Sequence, residues 1–576
     1  MKNISVNIDS HGVWHATMDM PGRPFNVFSE DMMDDLESLI ESVLADTAAG
    51  KSPKGLVIGS GKTSFLAGAD LAMIQDFGAM RFSANWSQMR DRYSRLGRLF
   101  RRLEKLPIPV VAAINGLALG GGLELAMSCH ARVCAVGRHV QLGLPEAVLG
   151  LLPGAGGTQR LPRYVGLEKG VQMLLSGAPV SPEQAYELGL VDSLSEPAAL
   201  HEAATACVLE LEACARWDRD DYQVSESDVA QLSNDFETWA ASVSGVSAQD
   251  MALYPAYKAI VGCVAGGYGQ DIDTAMDVEW DIFVDLMSHP ISSNMVTTCF
   301  LEKTAASKHS LAKLPQTETP GSYAVGPGLS LGDSAFRKVP LRSIEDADIV
   351  LQSAGHPIAE AGLTVRDLLA DQPLASELPE LRYVGDLAKN QVLELASGAD
   401  EKQTARAFAL LQTSAKPVVL SSSGSTSVNE VLLQACRDTF AETGKTREAF
   451  ELSASAVGLS GLVNMALDGA RTSSTSYQYD PAYHEAGLSL LLDLSLAVYR
   501  LVVEQLSGDT DKDKVTLAGM DLLAVYGGDF PSWTGGPLSC LTMFQRLELK
   551  TEGAAEKLSP LAYTFKNELG YFPKAL

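Results

Sequence analysis

Two acidic residues in apolar surroundings are the place to look for chemistry in this chain. Glu124 stands in Asn115-Gly116-Leu117-Ala118-Leu119-Gly120-Gly121-Gly122-Leu123-Glu124-Leu125-Ala126-Met127. Glu146 follows twenty-two residues later in Gly143-Leu144-Pro145-Glu146-Ala147-Val148-Leu149-Gly150. A carboxylate taken out of water without a partner is costly, so each is either satisfied locally or at work. Two carboxyls converging on one pocket can divide general-acid and general-base roles, because burial and mutual repulsion separate their proton affinities. Taken singly, Glu124 reads equally well as a helix N-terminal acid satisfying backbone N–H groups, and Glu146 as a turn carboxylate.

The neighbouring glycines indicate what such acids would act beside. Three in a row, Gly120–Gly122, carry a high backbone entropy cost and fit where main chain must approach something closely or adopt φ > 0. They lie between a buried strand and a helix, whose first N–H groups are unpaired and sit at the positive end of its dipole. That environment suits negative charge developing on a carbonyl oxygen. A second strand-to-helix turn, Ser64-Phe65-Leu66-Ala67-Gly68-Ala69-Asp70-Leu71, offers another N–H at Ala69. In isolation it also reads as a packed corner.

The elements that must hold these groups follow from periodicity. Gly55–Gly59 and Pro109–Ile114 are short, continuous apolar runs and read as buried strands, each followed by a Gly-containing turn and a helical pattern. From about 195 to 310 the pattern is mainly helical, with Glu279–Met287 an amphipathic example. Between Ala305 and Gly332 the composition shifts to Lys, Ser, Pro, Thr and Gly, and reads as a linker. Strand-like Asp348–Leu351 and Pro417–Leu420 follow, and 426–576 is helical with Gly/Pro punctuation.

Composition bounds the possibilities. At 576 residues the chain should hold three to four units at roughly 150 residues each. Against 45 Lys+Arg stand 71 Asp+Glu, a formal charge of −26, which repels phosphate backbones and anionic membranes and argues against generic nucleic-acid binding. Eight cysteines are too sparse for a disulfide framework, and Cys129 and Cys134 lack a second pair to complete a zinc site, so no metal is expected. The opening Met1–Val6 has no apolar signal segment. The apolar stretches Pro107–Met127 and Leu488–Val503 each contain polar or charged residues, so no membrane span and a cytoplasmic location are expected.

Phe65–Leu71, Asn115–Met127 and Gly143–Arg160, with Pro21–Val27 before them, resemble the signature blocks of the enoyl-CoA hydratase (crotonase) superfamily, in the family's order. The spacing of the two glutamates resembles the hydratase half of bifunctional fatty-acid-oxidation α-subunits. The resemblance implies an α/β crotonase domain of spiral ββα repeats over 1–195. It implies a helical extension and linker helix over 196–310, a truncated 3-hydroxyacyl-CoA dehydrogenase remnant over 311–425, and an all-helical dehydrogenase-like C-terminal domain over 426–576. By carry-over Glu124 and Glu146 match the catalytic glutamates, and Ala69 and Gly121 the oxyanion-hole N–H donors. Gly68, Asp70, Gly120, Pro145 and Gly154 fall at substrate-binding positions. Arg23 or Lys62 are candidates for the coenzyme A phosphates, and the 72–105 segment, with Phe77, Phe82, Trp86, Tyr93 and Phe100, lines either an acyl pocket or a helical core.

The implied reaction is addition of water to a 2-trans-enoyl-CoA, with coenzyme A present only as part of the substrate. Retention of both acids favours hydration over isomerisation of a 3-enoyl-CoA; a non-catalytic assembly subunit is the alternative of another class. In the second half, Gly326-Pro327-Gly328-Leu329-Ser330-Leu331-Gly332 departs from the G-x-G-x-x-G dinucleotide loop by one place, and the next strand follows too soon for a complete nucleotide-binding half. The family's catalytic His position reads Arg382, while its Glu and Asn are kept as Glu394 and Asn429. Arginine does not give up its proton near neutral pH and cannot serve as base. No NAD binding and no dehydrogenase activity are therefore expected. The second half is expected to serve as a scaffold, docking a thiolase or a separate dehydrogenase, in an oligomeric protein.

Overall fold

In the computed structural model of the chain, nine strands build the first part of the fold: β1 (Ile4–Ile8), β2 (Val13–Met18), β3 (Gly55–Ser60), β4 (Leu66–Ala67), β5 (Val110–Ile114), β6 (Ala118–Leu119), β7 (Ala131–Ala135), β8 (Leu142–Gly143) and β9 (Ser193–Ser195). The structure describes residues 1–80, 83–232, 235–307, 322–325, 339–353, 362–368, 378–383, 390–414, 416–421, 425–469, 479–505, 510–546 and 548–558.

Two sheets result. The larger has the order β1-β2-β3-β5-β7-β9, the smaller β4-β6-β8. Only the β1–β2 pairing is antiparallel; β3, β5 and β7 pair in parallel. Strand β5 is an unbroken apolar run, β7 is apolar apart from Arg132, and all five residues of both are buried, as expected of a parallel sheet covered on both faces. Each long strand is followed by a short one that joins the second sheet and then by a helix or helical turn, and this unit recurs three times. The recurrence is the spiral ββα arrangement.

Further helices complete this unit. Leu200–Glu210, Phe236–Ser244, Pro255–Gly267 and Ile272–Ser288 belong with the two sheets to one compact body, Met1–Ser293. The segment expected as a single helical division over 196–310 is thus shared between two bodies, the second beginning at Asn294. The physical reason lies in the packing of Ile272–Ser288. Its Trp280 ring closes on Gly97 of the helix Trp86–Glu104, where an added Cβ would lie 2.8 Å from the indole nitrogen. Arg90 reaches Asp277 at 2.7 Å and Asp281 at 2.5 Å, and Arg101 reaches Asp273 at 2.7 Å.

The second unit, Asn294–Leu576, contains β10 (Tyr323–Val325), β11 (Ile349–Ser353), β12 (Gly362–Asp367), β13 (Glu380–Tyr383), β14 (Leu393–Ala396) and β15 (Val418–Ser421). They form one sheet in plain sequence order, parallel except between β13 and β14. Its core includes Leu351, Leu363, Leu381, Leu395, Leu410 and Val418. Strand β10 corrects the reading of this stretch as linker. Tyr-Ala-Val is short, but its backbone pairs in register with Ile349–Leu351 and both Tyr323 and Ala324 are buried. The Gly326–Gly332 loop and Phe82 lie outside the described residues.

Helices follow from Val428 onward. The segment Pro481–Val503, of mean hydropathy 1.8, is long and apolar enough to cross a membrane by length and composition, yet 67% of that window is buried within the fold, as in a core helix. Pro107–Met127, the other apolar stretch, divides into strand, turn and helix. Among the described residues no group of three or more His, Cys, Asp or Glu is placed to hold a metal ion.

Candidate active site

The small sheet sets the register of the site. In it Ala67 pairs with Leu119, and Leu119 with Gly143. Counting forward from these aligned residues, Ala69 and Gly121 each come two positions later, and Glu146 comes three positions after Gly143. The bridge between Phe28 and Ala69 uses the Gly68 carbonyl (2.8 Å) and the Asp70 N–H (2.7 Å), which leaves the Ala69 N–H on the opposite side of the strand. Gly121 is the first residue of the helix Gly121–Met127, so its N–H has no intrahelical acceptor. Among the described residues neither N–H donates to a main-chain acceptor.

The glycine triad has separate causes at separate positions. Gly120 takes φ +53, where an L side chain is strained, and a Cβ on it would lie 2.5 Å from Glu146 Oε1. Gly122 packs directly on the carbonyl of Leu66, leaving no space for a side chain. The backbone of one ββα turn thereby touches both its neighbour in the small sheet and the second acid.

Glu124 lies on the first turn of that helix, 3% exposed. It does not cap its own helix. Its Oε1 accepts hydrogen bonds from Ala155 N and Gly157 N, both at 2.8 Å, at the start of the helix Gly157–Val165. Burial pushes its carboxyl up to about 7; those two amides and the nearby Arg160 guanidinium restrain the rise. Glu146 sits on a 3-10 turn, Pro145–Leu149. The residue keeps partial exposure, but its Oε2 is buried with no hydrogen-bond partner. Burial first, then the charge of Glu124 and more weakly of Glu279, raise it well above the ordinary carboxylate range. Two acids far apart in sequence thus face one another electrostatically, and their proton affinities are unequal.

The remaining sequence-derived positions are spent differently. Asp70 is buried, caps Ala72 N at 2.8 Å and pairs with Arg23. Lys62 pairs with Asp19 at 2.6 Å, so both cations considered for phosphate recognition already hold carboxylates. Gly154 is explained by packing, since a Cβ there would lie 2.5 Å from the Phe283 ring. Pro145 opens the 3-10 turn that carries Glu146. Phe100 fills the core, edge-on to Phe28 at 5.4 Å, and Tyr93 lies against Phe77 at 4.6 Å and Phe283 at 5.4 Å.

Sequence reasoning missed three buried ionisable residues beneath the site, Arg160, Glu104 and Glu279. Arg160 is fully buried; its Nε donates to Glu104 Oε1 at 2.6 Å and its Nη1 to the Ala155 carbonyl at 2.8 Å. Glu279, also fully buried, accepts from Gly156 N at 2.6 Å and from Thr158 through both N (3.1 Å) and Oγ1. A signal for Glu279 was present. It falls on the apolar stripe of its helix, with Met276, Trp280 and Phe283, where an acid has no solvent to face.

The second unit holds a contrasting cluster. Arg382 on β13 and Glu394 on β14 are direct cross-strand partners, joined at 3.2 Å, and the same guanidinium holds Glu380 at 2.9 Å. Glu394 also accepts from Ser421 Oγ at 2.9 Å and Ser427 Oγ at 2.5 Å. Burial works against the Arg382 charge, but Glu394 and Glu380 outweigh it and hold the proton more tightly. Asn429 is buried in the same unit, at the start of the helix Val428–Thr443.

Comparison with known proteins accords with this geometry. The enoyl-CoA hydratase/isomerase family matches residues 9–224, the segment carrying β2 to β9, both acids and both amides. The matched segment lies wholly within the first unit. The fatty acid oxidation complex subunit alpha of Shewanella halifaxensis is 34% identical over 362 residues, 61% of this chain and 49% of that protein. The subunit of the same name from Shewanella amazonensis is 32% identical over 360 residues, with the same shares. The chain spans about half the length of these curated relatives. Among solved structures, an enoyl-CoA hydratase from Bacillus anthracis is 26% identical, covering 54% of this chain and 96% of that one at a TM-score of 0.31. Pseudomonas aeruginosa DspI is 33% identical, covering 37% and 82% at a TM-score of 0.32. Glu279 lies beyond the segment the enoyl-CoA hydratase/isomerase family matches.

Proposed function

We propose that this chain is an enoyl-CoA hydratase, adding water across the 2,3-double bond of a 2-trans-enoyl-CoA as in fatty-acid β-oxidation. The observation that carries the reading is the pair of carboxyls with raised, unequal proton affinities, Glu124 and Glu146, together with the Ala69 and Gly121 amides, each two positions beyond paired residues of the small sheet. The thioester oxygen accepts hydrogen bonds from those two N–H groups, which polarises the C2=C3 bond. Glu124, titrating near neutrality, accepts a proton from a water held between the acids while the water oxygen bonds to C3. The π electrons move toward the thioester oxygen. Glu146, whose proton is held well above the ordinary range, delivers it to C2. Transfer of the proton gained by Glu124 back to Glu146 restores the starting state, so the net change is H on C2 and OH on C3.

Isomerisation of a 3-enoyl-CoA would use the same amides but needs only one proton shuttle. The full chain should bleach the ultraviolet absorbance of a conjugated enoyl thioester, and the combined Glu124→Gln, Glu146→Gln variant should not. Formation of that absorbance from a 3-enoyl-CoA, with no bleaching of the 2-enoyl compound, would overturn hydration in favour of isomerisation.

For the second unit the reading is a fold without dehydrogenase chemistry and without bound NAD. In its support, the residue at the expected base position, Arg382, is locked between two carboxylates. The described strands also run in sequence order with no reversal, whereas a dinucleotide crevice forms where the order reverses. Titration with NAD⁺ should give no saturable signal. A docking role toward a thiolase or separate dehydrogenase is part of this proposal, and deletion of 311–576 with unchanged partner binding would refute it.

A further inference from the structure

Four consecutive amides at the start of one helix are shared alternately by two carboxylates. Ala155 N and Gly157 N donate to Glu124, while Gly156 N and Thr158 N donate to Glu279. Gly156, at φ +101, turns successive N–H groups toward different acceptors, and Arg160 fixes the Ala155 carbonyl from below. The helix Gly157–Val165 has no side-chain cap of its own, so its unpaired first N–H groups are satisfied by these two acids. One acid comes from the family-matched segment and the other from the helix Ile272–Ser288.

We propose that Glu279 is a positioning residue for Glu124: by taking the intervening amides it fixes the 155–158 loop on which Glu124 is oriented. The inference rests on the hydratase reading given above. A helix cap alone would need only a neutral acceptor; here the second acceptor is a carboxyl, and the charge of Glu124 makes it hold its proton more firmly. Burial and the charge of Glu124 push Glu279 up to about 8, restrained by Thr158, Gly156 and Arg160. Around it stand Glu124 on its own helix, Glu146 on the 3-10 turn, and Arg160, itself paired with Glu104 of the helix Trp86–Glu104. Cys263 of the helix Pro255–Gly267 is held neutral by burial and by Glu279. Asp273, Asp277 and Asp281, on the helix Ile272–Ser288 with Glu279, face Arg101 and Arg90 instead. Protons are therefore distributed over Glu124, Glu146 and Glu279 as a set.

The test is the pH profile of kcat for the full-length chain, from about pH 5 to about pH 9, which spans the raised carboxylate range. Glu279→Gln keeps an acceptor for Gly156 and removes the ionisable carboxyl. It should lower kcat by about 10-fold through misplacement of the loop, with KM within about twofold. It should also remove the inflection near pH 8 that ionisation of Glu279 places on the profile, while the acid limb set by Glu124 stays where it is. Glu279→Asp, which keeps a titratable carboxyl, should retain the inflection. Should Glu279→Gln not fold, Thr158→Val, which withdraws a donor that favours ionised Glu279, should move the inflection to higher pH. A profile near pH 8 that is unchanged in these variants would overturn the inference and leave hydration standing. An unaltered chain that hydrates no enoyl thioester would overturn both.

Discussion

The two units bury acidic side chains to a similar depth and surround them with different partners. Around Glu124, Glu146 and Glu279 the near donors are mostly backbone amides, which bind a carboxylate without neutralising it; the one adjacent cation, Arg160, is already held by Glu104. Those carboxyls therefore keep raised proton affinities. Around Glu394 and Glu380 a guanidinium is in direct contact with both, and hydroxyls of Ser421 and Ser427 satisfy Glu394 further. Burial alone does not make an acid reactive. What decides is whether its closest partner is a dipole or a permanent charge.

The comparison breaks most readily at the acids of the first unit. Glu124→Gln and Glu146→Gln should each lower the hydration rate by about 10²–10⁴ while the chain still folds, measured by enoyl-thioester absorbance and by melting. A loss under about tenfold for either would remove that residue from the proton-transfer role. In the second unit, Arg382→Ala leaves two carboxylates buried without their cation and should destabilise that unit by roughly 3–5 kcal/mol in denaturant unfolding. Hydration should be unaffected, because Arg382 belongs to the second unit and pairs with Glu380 and Glu394 there. Gly122→Ala presses a methyl group onto the Leu66 carbonyl and should cost about 1–3 kcal/mol, read in the same unfolding experiment.

The smallest effect is one of pH. Glu124 and Glu279 rise from 4.5 to about 7 and about 8 on folding. Between those limits the folded chain binds more protons than the unfolded one, so this contribution to stability is fully present below 4.5 and is lost as pH rises through the folded values. Melting of the first unit should therefore move to lower temperature from about pH 5 to about pH 8, and less steeply in Glu279→Gln.

How much of this was legible in the sequence depended on the range of the forces. Strands β3 and β5, the helix carrying Glu124 and the turn carrying Glu146 follow from local pattern, because apolar runs and glycine-rich turns act over a few residues. The relation of Ala69 to Gly121 became visible only through the pairing of Ala67 with Leu119, a matter of sheet register. The partners of Glu124 were not legible. Its local position suggested capping of its own helix, whereas amides some thirty residues onward took it. Glu279 was hidden further, since its amides lie over 120 residues back along the chain and only its place on an apolar stripe marked it. Arg23 and Lys62 looked free because an ion pair such as Lys62 with Asp19 is set by loop geometry, not by spacing. Strand β10 is three residues long, and nothing local separates so short a run from a linker.

The central claim is that water is added to the double bond at this site, and the fate of the water oxygen tests it most directly. The full chain is incubated with a 2-trans-enoyl-CoA in heavy-oxygen water and the thioester product is weighed by mass spectrometry. The account predicts one labelled oxygen, carried as a hydroxyl on C3 of an intact thioester, and no label in the Glu124→Gln, Glu146→Gln chain. Unlabelled product with a shifted double bond, or label only in a free acid released by thioester cleavage, would contradict it.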